Sequence, residues 1–569
     1  MSAAQPKPTS AYKVLVVDDQ QQMRQIIRES LYRLGIRTVL MAGNAAEALK
    51  AMRGEGIDLV LSDYNLGEGP DGQQLLEAAR GAKLLSPVAP WIYITANALR
   101  TDILAAGDFM PDGYIVKPFT DQLLSRYIEA LSTRKQTLAP LLLAVEAQQW
   151  DQVLEAAEGF IRRGDALSVE GLKQKAQALM RLARFEDARA CYAQALQLNS
   201  ELSWAQLGQA QALRALGKTE QARAALEQLT RDQPSYASAY DVLLEMAEDQ
   251  GDAQAAMGIA QTVADLVPNA KRKLRLGSLA LGAGETETAL KALEQAAAKN
   301  KHAVQPTPQA QLLLTQALLD KGDALRALSL AGELAKKFAD SPDAGLLSKA
   351  LSAQAQQRLG NAAAATALMQ EVEQRMANTP LDEQHKLLIA KSALATGQTA
   401  LGQQLITELA RNHSDRPLLL ASALRAAEGT PAEAECRALI EQVGREMTEA
   451  MNALQQAKRS GDVARALALG EQALALSPQN FNVLIELCSL HLIAMGRESA
   501  DAREPHPRAR RRAAGQAGAQ PSQSRPRGRG PQVLSRARRR RLSHAGSLPQ
   551  RRGAARPEEP PGHPQRRTD

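Results

Sequence analysis

Cysteine, aromatic residues and long apolar runs are all scarce in this chain. Three cysteines, Cys191, Cys436 and Cys488, are spread over 569 residues. That is neither a disulfide framework nor a zinc-ligand spacing, and it fits a reducing cytoplasm. The three are expected to be small buried residues on helices. Aromatics make up only 3% of a chain that is 44% hydrophobic. Ala, Leu and Gln dominate instead, which favours long stretches of packed helix. No uninterrupted apolar run approaches the ~20 residues needed to span a bilayer. The opening MSAAQPKPTS lacks the apolar core of a signal peptide. The expectation is a soluble, cytoplasmic protein with no membrane partner.

Lysine is missing from one region altogether. From Arg497 to Asp569 there are 19 Arg, no Lys and 6 Asp or Glu, a net +13. The chain total is +7, so everything before Arg497 sums to −6. The apparent basicity belongs to the tail alone. The seven His residues are scattered, with no metal or triad spacing. No helix-turn-helix module follows the first quarter, so direct DNA reading is not expected.

What is present in the first quarter is a set of short apolar runs, each ending on a polar residue. Lys13–Val17 ends at Asp18 and Asp19, Ile57–Ser62 at Asp63, Trp91–Ile94 at Thr95, and Tyr114–Val116 at Lys117. Arg37–Ala42 supplies a fifth strand. Helical patterns fill the gaps, as in Gln20–Leu34, where Met23, Ile26, Ile27, Leu31 and Leu34 share a face. Five β-α units with buried strands indicate a doubly wound parallel sheet. Side chains at the carboxyl ends of such strands meet in one crevice. Asp18, Asp19, Asp63, Thr95 and Lys117 wait there. Three clustered carboxylates repel one another and call for a divalent cation, and hard oxygen donors suit Mg²⁺. A cation, a Lys and a hydroxyl are parts that stabilise phosphoryl transfer, with Asp63 as the natural nucleophile.

These residues and spacings resemble the receiver domains of bacterial two-component response regulators, whose α/β fold is flavodoxin-like and chemotaxis-regulator-like. The resemblance covers about residues 11–133. It implies that Asp63 accepts phosphate from a histidine kinase or phosphotransfer protein. It implies that Asp18, Asp19, Asp63 and the backbone carbonyl of Asn65 hold Mg²⁺. Lys117 contacts the phosphoryl group, Thr95 hydrogen-bonds it, and Tyr114 is the switch aromatic. No enzyme activity is implied beyond the receiver's own phosphorylation and dephosphorylation. The loop after Asp63, YNLGEGPDG, is one residue longer than the common form and lacks its Met-Pro.

From residue 136 to 496 the chain reads as helix after helix with a fixed period. Ala188, Ala222 and Ala256 are 34 apart, as are Ala183, Gly217 and Gly251, and Ser200, Pro234 and Pro268. Echoes recur at Gly284, Gly322, Gly360 and Gly461, with the spacing drifting to 37–38 between Gly284 and Gly397. This resembles the tetratricopeptide repeat, an all-α superhelix of about nine or ten helix pairs. Trp204, Leu207 and Gly208 fit the first-helix pattern. The concave face of such an array binds proteins or peptides; a spacer or dimerisation rod is the alternative. Gly217-Lys218-Thr219 is not a phosphate loop, because Ala212 stands where its first glycine belongs. Two Glu-Ala-Leu triplets, at Glu47 and Glu129, lie on receiver helices with no catalytic domain around them.

Residues 1–10 and 497–569 read as disordered. The Arg/Pro-rich tail reads as an out-of-frame translation of GC-rich DNA, with a genuine RNA-binding tail as the alternative. Phe481–Gly496 reads as a first helix and turn whose second helix never comes, leaving Leu484, Leu487, Leu490 and Ile493 uncovered. The function expected is a phosphorelay response regulator whose output is protein interaction. A regulator that docks on a partner kinase or phosphatase is the alternative.

Overall fold

The computed structural model describes residues 8–54, 56–67, 69–96, 110–301 and 306–501, with side chains to residue 494. Five strands form one parallel sheet: β1 Lys13–Val17, β2 Thr38–Ala42, β3 Leu59–Ser62, β4 Trp91–Thr95 and β5 Gly113–Val116. Their order is β2-β1-β3-β4-β5. Alternation along each strand divides the core into two layers. Leu15, Val17, Val60, Trp91 and Tyr93 face the helices Ala45–Gly54 and Gly72–Gly81. Val14, Val16, Leu59, Leu61, Ile92 and Ile94 face Gln21–Arg33 and Asp121–Thr137. Because both faces are covered, the strands are continuous apolar runs. Ile26 departs from expectation. It is 52% exposed, while Ile27 and Leu31 carry the buried stripe of that helix. Residues 97–109, between β4 and β5, lie outside the described residues.

The helix Asp121–Thr137 does not end in a linker. Leu138 caps it and also precedes the next helix, Ala139–Glu146, and is itself buried. Arg134 lies 3.8 Å from Glu170 of the first repeats. Within the receiver, Lys135 pairs with Asp112 at 2.7 Å, and the Gln136 amide donates to the Tyr12 hydroxyl.

Among the described residues, everything from Ala139 to Asp501 is helix and turn. The 34-residue period has a physical basis at each position. Ala188, Ala222 and Ala256 are fully buried where paired helices approach. Ala183, Gly217 and Gly251 all take the left-handed conformation that ends a first helix, at φ 55°, 74° and 74°. Gln233 and Val267, each preceding a proline, leave the helical region at ψ 77° and 86° and end the second helices. The left-handed series continues through Gly284, Gly322, Gly360, Gly397, Gly429 and Gly461.

Pro417–Ala427 packs far back along the chain. Leu418 joins the cluster of Leu244, Ala247, Ala256 and Leu276. A side chain at Gly251 would strike Pro417, and one at Gly282 would meet Ser422. This helix therefore sits against the carboxyl ends of Ala237–Gln250 and Ala270–Ala283.

The end of the array corrects the sequence reading. Phe481–Asp501 is one continuous helix, so Gly496 lies inside it and not at a turn. Leu487 and Leu490 are buried, against Gly470 and Leu454 respectively, whereas Leu484 and Ile493 are exposed as expected, along with Phe481, Ile485 and Leu492. Cys191 and Cys436 are buried as expected, but Cys488 is exposed. The segments 1–7 and 502–569 lie outside the described residues. No helix searched is long and apolar enough to cross a membrane.

Candidate functional site

The carboxyl ends of β1, β3, β4 and β5 deliver the acidic and cationic residues to one crevice. Pairing sets their depth, since Val17 registers with Ser62 and Thr95 with Val116. Asp18, Asp19 and Asp63 offer carboxylate oxygens that all lie within 4.8 Å of one another. Asp18 is completely buried. Its Oδ1 accepts from the Gln20 amide at 2.9 Å, and the Arg24 guanidinium holds the carbonyls of Asp18 and Asp19 at 2.6 and 3.1 Å. The Asp63 amide donates to the Val17 carbonyl at 2.7 Å, and Asp63 Oδ1 accepts from the Asn65 amide at 3.2 Å. Lys117 Nζ bridges the cluster, at 2.7 Å from Asp63 Oδ2 and 2.9 Å from Asp18 Oδ2. Its backbone amide donates to the Thr95 carbonyl at 2.8 Å, and Thr95 is buried. The Lys117–Pro118 peptide is cis.

Burial pushes the Asp18 carboxyl up, and the Lys117 hydrogen bond only partly offsets it. Burial pulls Lys117 down, but hydrogen bonds to Asp63 and Asp18 outweigh it and leave the ammonium raised. One ammonium therefore faces three carboxylates, and desolvation wins at the most deeply buried of them. A hard divalent cation suits this donor set, because it supplies charge the single Lys cannot.

The loop after β3 is held close to Asp63. Asp71 caps the helix Gly72–Gly81 in a reciprocal box with Gln74. Gly72 lies so near the Asp63 carbonyl and Tyr64 Cα that a side chain there would displace them. Leu66 anchors the longer loop by burial.

Sequence reasoning found Tyr114 but missed what it packs on. Tyr93 registers with Tyr114, their rings 5.9 Å apart, and Tyr64 stands edge-on to Tyr93 at 5.9 Å. The Tyr93 hydroxyl donates to the Gly72 carbonyl at 2.8 Å. Three tyrosines thus link the residue after Asp63 to β5. The period-2 alternation Trp91, Tyr93, Thr95 sets the face of Tyr93, and the β4–β5 register puts Tyr114 on that same face. Burial raises the Tyr114 phenol to about 12, and its hydroxyl has no hydrogen-bond partner among the described residues.

An acidic crevice closed by a lysine at the carboxyl edge of a five-stranded parallel sheet defines a phosphoacceptor-type α/β domain. The response regulator receiver domain family matches residues 14–129, and the tetratricopeptide repeat family matches 207–271 and 274–345. The chemotaxis protein CheY of Pseudomonas aeruginosa is 36% identical over 122 residues, which is 97% of that protein and 21% of this chain. The CheY homolog of Campylobacter jejuni is 35% identical over 118 residues, 89% of its length and 21% of this chain. A receiver domain structure from Clostridium thermocellum shows 29% identity over 22% of this chain and 98% of its own, with a TM-score of 0.20. The chain belongs to the response regulator receiver family, and its helical region carries tetratricopeptide repeats.

Proposed function

We propose that this response regulator takes a phosphoryl group on Asp63 and passes the signal to a protein partner through its repeats. The observation that carries the reading is the single Lys117 ammonium shared by Asp63 and Asp18 inside a three-carboxylate cluster. A carboxylate oxygen of Asp63 attacks phosphorus; the O–P bond forms as the bond to the donor breaks, and the donor nitrogen keeps the electron pair. The donor is a histidine kinase or phosphotransfer protein. Asp18, Asp19, Asp63 and the carbonyl of Asn65 would hold Mg²⁺. When bound, the cation neutralises charge on the phosphoryl oxygens. Lys117 passes from Asp63 to a phosphoryl oxygen, and the Thr95 hydroxyl hydrogen-bonds another. Tyr114 is the responding aromatic. It packs on Tyr93 and is half-buried, with its hydroxyl unpaired among the described residues. The cytoplasm is the compartment this exchange requires. The test is to incubate the full chain with acetyl phosphate and Mg²⁺ and locate the modified peptide. Modification at any residue other than Asp63 rejects the assignment.

The raised Asp18 carboxyl gives a pH dependence. A proton on Asp18 removes a cation ligand, and it binds above the ordinary value of 3.8. Mg²⁺ affinity should therefore fall on acidification at a higher pH than an unperturbed aspartate allows. For stability the sign is opposite. Without the cation, Asp18 contributes most below its unfolded pKa, and the contribution is lost as pH rises through the raised folded value. Calorimetric Mg²⁺ titrations between pH 7 and about pH 4.5 check this. Constant affinity across that range would contradict the burial argument.

A further inference from the structure

The inner surface of the array is unevenly open. Alternate helices from Ser168–Arg181 to Ala270–Ala283 line a groove of about 1040 Å³. Pro417–Ala427 packs at the carboxyl ends of the last two of these helices. In a chain with 3% aromatics, this groove gathers Trp150, Tyr192, Trp204 and Tyr236, including two of the three tryptophans. Its cations are Arg181, Arg214, Lys271, Arg272 and Arg275, against the carboxylates of Asp241 and Glu245. Arg214 is engaged by Glu245 and Asp249, and Arg275 by Glu248. Arg272 is different. It is only 6% exposed and pairs with Asp241 through Nη2 at 2.7 Å, but its Nη1 has no partner among the described residues. A buried guanidinium donor left unmet is costly, and it lies in the lining of an electropositive groove.

We propose that this groove binds an acidic peptide segment of a partner protein. A carboxylate satisfies Arg272 Nη1, and apolar side chains seat among the aromatic rings. The proposal rests on the reading of the repeats as a protein-docking array and names the partner's chemistry. Charge complementarity selects this occupant. The chain's own tail, with 19 Arg against 6 Asp or Glu, has the wrong charge to be this occupant. A nucleic acid would bring a continuous line of phosphates past Asp241 and Glu245, whereas a peptide can place its carboxylates singly.

The full-length chain should be titrated with a short fluorescein-labelled peptide of alternating Glu and Leu. A matched Lys/Leu peptide and an oligouridine serve as comparisons, followed by anisotropy and by tryptophan fluorescence. The Glu/Leu peptide should bind, perturb the tryptophans and weaken with salt. Arg272→Gln and the exposed Arg181→Glu should each reduce its affinity roughly tenfold or more. Should Arg272→Gln fail to fold, Arg181→Glu carries the comparison alone. Preference for the Lys/Leu peptide overturns the acidic chemistry while leaving the array a docking surface, and binding of neither peptide overturns both. Oligouridine that displaces the Glu/Leu peptide and is lost in Arg181→Glu would make the groove a nucleic-acid site. Labelling of Asp63 by acetyl phosphate is unaffected by either variant, so phosphoacceptance and docking stand or fall separately.

Discussion

Replacing Asp63 with Asn is expected to abolish phosphoryl labelling by acetyl phosphate, to below about one part in a thousand of the parent rate. The amide keeps the size of the side chain and its hydrogen bond from the Asn65 amide, but it removes the nucleophilic charge. Lys117 loses one of its two anionic partners and stays on Asp18. The fold should therefore survive, because the sheet pairs through backbone and Asp63 adds only a local cap to the loop. Circular dichroism should be unchanged while intact-mass spectrometry shows no phosphoryl adduct. Asp19→Ala should fall between the two, labelling slowly and needing more Mg²⁺. An Asp63→Asn protein that still gains a phosphoryl group under the same conditions would place the acceptor elsewhere.

The second large effect belongs to the array. Gly208 sits inside the helix Ser203–Ala215, and an added Cβ would fall within the Tyr192 ring. Tyr192 is itself buried and packs edge-on against Trp204 at 6.3 Å. It cannot yield without opening the contact between consecutive repeats. Two terms oppose each other in Gly208→Ala. Helix propensity favours alanine by about 1 kcal/mol. Overpacking a closed contact costs about 1–3 kcal/mol, and more where an aromatic must move. The net should be a loss of roughly 0–2 kcal/mol, and more where the Tyr192 ring must move, read as a lower urea midpoint for the unfolding step that includes these repeats. Gly332 is the matched control. It lies in the helix Ala324–Lys337 with nothing within 4 Å of an added Cβ, so Gly332→Ala should raise stability by up to about 1 kcal/mol. Equal changes at the two sites would mean that the Tyr192 contact is soft.

The five strands were legible in sequence because both faces of the sheet are covered, and each strand had to be an apolar run ending at the crevice. The residues waiting at those ends were legible for the same reason. The three-tyrosine stack was not. It depends on the register of β4 with β5, and neither strand alone carries that register. Ile26 was misjudged because apolar spacing alone gave a wider stripe than the sheet covers. In the array, the alanine and glycine periods follow directly from helix approach and left-handed turns. The return of Pro417–Ala427 to helices some 170 residues earlier obeys no period, and a one-dimensional pattern cannot express it. At the far end, Leu487 and Leu490 were taken as uncovered because the second helix was missing. The helices before them cover these two, while Leu484 and Ile493 stay exposed as expected.

The junction at Leu138 fixes how news of phosphorylation can travel. With a slack tether, the receiver and the array would communicate by collision, and tether length would set the odds of meeting. Here the last receiver helix reaches the first repeat helix through one buried residue, and Val145 and Trp150, just beyond, form one end of the aromatic groove. The arrangement is a crankshaft. If the receiver signals to the repeats as proposed, a turn of Asp121–Thr137 about its axis would reach Val145 and Trp150 through this junction, with no slack segment between. Slack inserted at Leu138 would leave both ends intact and uncouple them, as a broken shaft leaves both the engine and the wheel in working order.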